Sequence, residues 1–222
     1  GEVSSKVTKR EEPIVEVYEA IYGRRSVREF QDKEIDLGII KKIIDAGLQA
    51  PTNNHLRQWE FMIINDQARR LEVIDRIAKK ITKKDSEKII DGWGLTDHLQ
   101  REAYLEAIPK QYQMLLTAGC LIIPCFQQTS PLLKPANLSA LNSFASIWCC
   151  IENMLIAAAS EGIFGVTRIP FDKEIKHIRV VLNIPEDYVF PCYLALGYPS
   201  KKEKPIAQHK IEVEDRLHFN QW

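Results

Sequence analysis

LSALNSFASIWCCIENMLIAAAS, residues 138–160, is the longest apolar run with helical spacing in the chain. Ala145, Trp148, Cys149, Glu152, Leu155, Ile156 and Ala159 make one broad face, and Ile147, Ile151 and Met154 make another. A helix that is apolar nearly all round is buried on all sides. In a chain of 222 residues this predicts a central helix with a partner subunit against one side. Gly162 closes it, as glycine does at a helix C-terminus. The run is not read as a membrane span. Its most apolar part, residues 144–159, is shorter than the ~20 residues a bilayer needs and contains Glu152 and Asn153.

Upstream, Pro13 opens a helix over about residues 13–22, because its missing N–H costs nothing in a first turn. Asp36 is an N-cap for a second helix, in which Ile39, Ile40, Ile43, Ile44 and Leu48 recur at helical spacing until Pro51. A strand over 60–64, a helix over about 67–82 and a strand over 121–126 follow. Between the last two, Asp91-Gly92-Trp93-Gly94 turns into a helix that reaches Tyr112. After the central helix come an extended stretch at 166–169, a helix over 172–182 and a strand over 190–196. Residues 198–222 are charged and have little periodicity, yet Leu217, Phe219 and Trp222 need a surface to lie against. Helices alternate with few, irregularly spaced strands, which gives an α+β class: a central sheet with helices around it. No strand is followed by GxGxxG, so a doubly wound dinucleotide fold is not predicted.

Thirty basic residues against thirty acidic ones leave no surplus cation to displace counterions from a nucleic acid. Five cysteines without CxxC spacing, Cys120, Cys125, Cys149, Cys150 and Cys192, read as buried reduced thiols of a cytoplasmic protein rather than a disulfide framework or a metal site. The polar first seventeen residues have no signal-peptide core.

Two clusters carry chemistry. In Tyr22-Gly23-Arg24-Arg25-Ser26-Val27-Arg28-Glu29-Phe30, three arginines and a serine occupy five positions. Guanidinium groups bind phosphate bidentately, and in an extended segment Arg24, Ser26 and Arg28 share a side. The plain alternative is a solvated basic turn. In Ala50-Pro51-Thr52-Asn53-Asn54-His55-Leu56-Arg57-Gln58-Trp59, polar and aromatic groups crowd a loop between a helix end and a strand. The alternative there is a turn held by Asx hydrogen bonds.

The order of these pieces closely resembles the nitroreductase family. An arginine-rich segment is followed by a helix closed by Ala-Pro, a polar loop and a Trp before a strand. Then come the apolar central helix with Asn153, Glu161-Gly162, Phe171-Asp172, and Ala195-Leu196-Gly197-Tyr198-Pro199 with the lysines after it. The resemblance covers roughly residues 14–204. It implies a nitroreductase-like mixed or antiparallel sheet in an intertwined homodimer, with FMN at the interface. Residues 1–12 would be an N-terminal extension, 13–204 the FMN-binding domain and 205–222 an arm packing on the partner.

Carried over by the resemblance, Arg24, Arg25 and Ser26 grip the FMN phosphate and ribityl chain, and Arg28 lies near the pyrimidine end. Pro51, Thr52, Asn53 and His55 approach from the other subunit, Thr167 and Ile169 lie by the ring, and Lys202 and Lys204, or Lys201 in a shifted register, complete the phosphate site. The implied activity is hydride transfer from NAD(P)H through FMN to nitroaromatic or quinone acceptors in a ping-pong cycle, without a catalytic acid or base. Arg28 would stabilise the reduced ring. The alternatives are a reductive dehalogenase, a flavin-consuming enzyme of the same superfamily, or a non-enzymatic FMN-binding protein. Pro170 departs from the pattern because it has no N–H to offer the flavin, so Ile169 must donate. Ile169 has no hydroxyl, which favours two-electron chemistry. A Glu-x-x-x-Tyr substrate motif fails, since Gln100 precedes Tyr104 by four residues. Trp93 is either an aromatic platform in a lid over residues 91–112 or a core tryptophan.

Overall fold

The computed structural model describes residues 16–222. Strands β1 (Trp59–Ile63), β2 (Cys120–Gln127), β3 (Phe164–Arg168), β4 (Tyr188–Val189) and β5 (Tyr193–Gly197) form one sheet. Its order is β1-β2-β5-β3 with β4 on β2, and all of its ladders are antiparallel.

Along β2, Cys120, Ile122 and Phe126 enter one core while Leu121, Ile123 and Cys125 enter another. On β5, Leu194 and Leu196 face the first core, Tyr193 and Ala195 the second. Side chains alternate across a strand, so these two strands are apolar, up to Gln127 at the end of β2, because helices cover both faces. Helices α2 (Leu37–Leu48) and α7 (Asn142–Ser160) supply the first core. Helices α3 (Gln67–Val73), α6 (Gln111–Thr117) and α8 (Asp172–Val181) supply the second. The result is the expected α+β layering.

Helix α7 is central but not enclosed. Ile147, Ile151 and Met154 are buried with Ser146, Cys150 and Ala158, whereas Cys149 and Glu152 on its broad face are exposed. Close packing on α2 requires Gly47, where a Cβ would stand 2.6 Å from Met154 Cγ. Asn153 Nδ2 donates to the Ala46 carbonyl at 3.2 Å. With the 3-10 turn Leu138–Leu141 before it, the helical stretch reaches 23 residues, long and apolar enough to cross a membrane by length and composition. That corrects the reading of the run as too short, although here its buried face packs on α2 and the sheet.

Other expectations shift. Helix α1 is Val17–Gly23, and the expected start at Pro13 lies outside the described residues. The helix expected over 67–82 is broken: α3 stops at Val73, and Thr82 starts α4 (Lys83–Gly92) instead of ending its predecessor. Thr82 Oγ1 accepts from the Asp85 amide and the Asp85 carboxylate accepts from the Thr82 amide, both at 3.1 Å, a reciprocal capping box. Residues 91–112 are likewise not one helix. Gly94 at φ +68 turns the chain, α5 (His98–Ala107) begins on the Asp97 cap, and Pro109 falls in the 3-10 turn Ile108–Lys110 before α6. Gly162, at φ +71, ends α7 as expected.

The tail is irregular apart from the 3-10 turn Val213–Arg216, and Leu217, Phe219 and Trp222 are exposed. All five cysteines are free, and Cys149 is exposed, contrary to expectation. Burial pushes the thiols of Cys120, Cys125 and Cys150 up to about 12.

The tightest approach in the sheet is at Gly165, where a Cβ would lie 2.3 Å from the Ala195 carbonyl oxygen. Gly165→Ala is expected to cost about 1–3 kcal/mol through overpacking. A urea unfolding midpoint equal to that of the parent protein would remove this constraint.

Candidate functional site

Strand β3 is an edge strand, and its free edge receives the arginine segment. Ser26 forms an isolated bridge to Gly165, and the Val27 amide donates to the Gly165 carbonyl at 3.3 Å. Val27 is fully buried, so it pins the segment to the core while Arg25 and Ser26 stay exposed. The chain then crosses to the end of β5. Phe30 bridges Pro199, the Gln31 amide donates to the Tyr198 carbonyl at 2.8 Å, and the Ser200 amide donates to the Glu29 carbonyl at 2.9 Å. Gly197 makes room for this crossing, since a Cβ there would meet Phe30 Cδ1 at 2.5 Å. Two segments far apart in sequence, the arginine run and the lysine tail, are thereby joined.

Arg24 Nε lies 3.4 Å from Glu152 Oε1 on α7. The Arg25 guanidinium sits 4.4 Å over the Phe164 ring, a cation–π contact that holds it at the β3 edge. Glu203, which sequence reasoning passed over as one letter of a Lys-Lys-Glu-Lys tail, turns inward. Its carboxylate accepts from the Arg28 amide at 3.4 Å and from the Glu29 amide at 3.0 Å. An acid set among three lysines was the available signal. Arg28 is half-buried. Burial pulls its guanidinium below the ordinary range, while Glu203, Glu106 and Tyr104 act in the opposite direction. Arg28 is therefore a cation with carboxylates in attendance.

Lys202 and Lys204 line a cleft of about 1000 Å³ with Lys83, Lys110, Glu29 and Glu106. Neither predicted lysine makes an ion pair among the described residues. Arg24, Arg25, Ser26 and Arg28 are not in its lining, so of the predicted cations the cleft holds only Lys202 and Lys204. The hairpin of α4 and α5 overlooks it. Trp93 and Tyr104 meet there edge to face at 5.3 Å, and both are exposed, so Trp93 is not a core residue.

The loop after α2 lies elsewhere. Among the described residues no hydrogen bond or ion pair joins Thr52, Asn53 or His55 to the arginine segment. The Asn53 amide donates to Ser146 Oγ on α7 at 3.2 Å, and the Leu56 amide donates to Asn54 Oδ1 at 3.1 Å. His55 and Arg57 occupy the left-handed region at φ 63 and 46, sparse territory for residues with a Cβ. Pro51 is exposed. Thr52 Oγ1 is buried without a hydrogen-bond partner, a state that native proteins seldom leave uncompensated. Thr167 is paired with Leu194 in the β3–β5 ladder, and Ile169 projects, 60% exposed, just beyond the end of β3.

With this arrangement in view, the profile of the nitroreductase family matches residues 21–198. The chain belongs to the nitroreductase family. A protein of Archaeoglobus fulgidus with the provisional name NADH dehydrogenase/NAD(P)H nitroreductase is 28% identical over 212 residues, 93% of this chain and 99% of that one. A 4-nitrobenzoate reductase of a Nocardioides species is 22% identical over 218 residues, 91% of this chain and 88% of its own. Among solved structures, iodotyrosine deiodinase bound to FMN and 3-iodo-L-tyrosine superposes with a TM-score of 0.71 at 17% identity, covering 93% of this chain and all, 100%, of that one. The NADPH:FMN oxidoreductase of Vibrio harveyi complexed with NAD+ gives 0.66 at 18% identity, over 93% and 77%. These likenesses establish the nitroreductase fold and an oxidoreductase family.

Glu203 is the hinge between arginine run and lysine tail. Glu203→Ala leaves two amides without their acceptor, at about 1–3 kcal/mol for groups cut off from water. Stability in urea is expected to fall accordingly. No change would show that the tail is not anchored through this carboxylate.

Proposed function

We propose that this nitroreductase-family oxidoreductase binds FMN and works as a homodimer in the cytoplasm. The observation that carries the reading is the docking of the arginine segment on the edge of β3, together with the joining of Arg28 and Glu29, through Glu203, to the tail that bears Lys202 and Lys204. The donor set suits FMN: clustered guanidinium and ammonium groups for a phosphate, a serine hydroxyl beside them, and in the other loop an orphaned Thr52 hydroxyl needing a partner.

On this reading Arg24, Arg25 and Ser26 hold the phosphate and ribityl chain, with Lys202 and Lys204 adding charge. Arg28 takes the pyrimidine end, where a fixed guanidinium favours the negative charge of the reduced ring. Pro51, Thr52, Asn53 and His55 act on the partner's cofactor, which agrees with their separation from the arginine segment within one chain. Thr167 and Ile169 border the ring.

The homodimer is supported by apolar surface that one chain leaves bare. Val17, Tyr18, Ile21 and Tyr22 on α1, and Leu217, Phe219 and Trp222 in the tail, are exposed, a pattern that marks association sites when contiguous. Of the arm expected over residues 205–222, Pro205, Ile206 and Ala207 line the cleft of their own chain and His209 Nε2 lies 2.8 Å from Asp97 Oδ2, so on this reading only the part beyond His209 packs on the partner. Free thiols, four buried and Cys149 exposed, accord with the cytoplasm.

Bound FMN supplies two-electron chemistry, passing a hydride from NAD(P)H to a nitroaromatic or quinone acceptor in a ping-pong cycle. The chain then needs no acid or base of its own.

The purified protein is expected to be yellow, to bleach anaerobically with NADH or NADPH, and to recover its colour with menadione or nitrofurazone. A flavin that binds but never bleaches would leave a binding protein without turnover. Arg24→Ala is expected to weaken FMN retention by about 1.5–3 kcal/mol, the range for hydrogen bonds to charged groups, without altering the dimer in size-exclusion chromatography. Full flavin occupancy in this variant would remove Arg24 from the phosphate site.

A further inference from the structure

One carboxylate holds both ends of the turn between β3 and α8. Glu174 is 1% exposed and Arg168, the last residue of β3, is 8% exposed. Glu174 Oε1 accepts from Arg168 Nη1 and, at 2.9 Å, from the Tyr193 hydroxyl. Its Oε2 accepts from Arg168 Nη2 and from the Phe171 amide, both at 3.2 Å. Arg168 Nε donates to Gln111 Oε1 on α6 at 2.8 Å. The cluster therefore binds the end of β3, the N-cap of α8, the start of β5 and the start of α6 into one unit. Burial, then the neighbouring Glu174, push the Tyr193 phenol upward, so it remains a donor.

Only Ile169 and Pro170 lie between the two clamped positions. Pro170 has no N–H, which leaves the Ile169 amide as the one backbone donor in the turn. A buried ion pair is a weak source of stability, because desolvation offsets the attraction. Its effect here is geometric: the turn cannot rotate without breaking bonds to three packed elements.

We propose that Glu174 and Arg168 are a positioning pair that fixes the Ile169 N–H toward the reacting edge of bound flavin. The proposal rests on the FMN reading above and assigns a role to two residues that never touch the ring. Its mechanism is preorganisation, a donor held in place before reaction.

The test uses holoprotein loaded with FMN labelled with ¹⁵N at N5. A hydrogen bond to N5 moves its resonance upfield, so this signal reads the Ile169 donor directly. Arg168→Met/Glu174→Leu replaces the pair with apolar side chains of similar volume, an exchange that buried ion pairs often tolerate. The expected result is an N5 resonance displaced downfield and hydride transfer from NADH slowed on the order of tenfold to a hundredfold, as for a misplaced reacting group. FMN affinity should stay near that of the parent.

An unshifted N5 resonance in a folded, flavin-loaded variant overturns the pair's role and leaves the FMN reading intact. A parent protein that takes up no FMN overturns both. If the double variant fails to fold, Glu174→Gln, which keeps a carbonyl for the Phe171 amide but not the charge, is read in the same way. A smaller downfield shift upholds the proposal, and none overturns it.

Discussion

Everything at the candidate site depends on the absence of a side chain at Gly165. Strand β3 must lie close enough to β5 to share a full ladder, and at this residue the gap to the Ala195 carbonyl has no space for a methyl group. The same glycine offers its carbonyl to the Val27 amide on the free edge. One position thus fixes the depth of β3 in the sheet and the place where the arginine segment docks. Val27, fully buried, contributes its apolar area and keeps the exposed groups beside it in register. At the other end of the crossing Gly197 admits Phe30 against the strand. The basic groups are therefore carried by a rigid sheet rather than by a free loop, as a site that must hold a ligand in one orientation requires.

Much of this was legible in the sequence for identifiable reasons. Asp36, Pro51 and Gly162 act through local backbone chemistry, so the ends of α2 and α7 could be read from single residues. The apolar period of residues 138–160 marked the central helix because burial imposes it. The region from Gln67 to Thr117 was misread because its signals are bidirectional. Thr82 with Asp85 starts a helix, yet a run of charged residues on either side resembles continuation. Gly94 and Pro109 break the 91–112 stretch by geometry that overrides its helical composition.

The site was legible in its list and not in its wiring. Arginines and lysines were flagged by type, whereas Glu203, Glu174 and Arg168 matter through what they face. Pairing across 175 residues, as between Arg28 and Glu203, leaves no local trace. The split of the candidate residues into two groups, one along β3 and one after α2, was implied by the family resemblance alone, and the contacts that hold each group needed the structure. So did the exposure of Cys149, since α7 carries apolar residues on the face that one chain does not cover.

That uncovered face and the divided site have one physical explanation under the proposed dimer. A chain this size with bare apolar residues on α1, α7 and its tail gains by association, because burial of apolar surface is the dominant favourable term. Delivering Thr52, Asn53 and His55 to a partner's cofactor makes that association part of the site itself.

The charges then divide by depth. Lys202, Lys204 and Arg25 are exposed, where salt screens each of them over about 8–10 Å, so under the proposed FMN reading they would hold a dianionic phosphate only by acting together. Arg28 is half-buried, where a charge acts through a lower effective dielectric and a single guanidinium reaches further. Leaving it unaccompanied there would be costly, and Glu203 and Glu106 offset that cost. They also temper the field the ring would feel. The result is a graded arrangement, in which numerous screened cations suit the task of retention and one balanced cation suits the task of tuning.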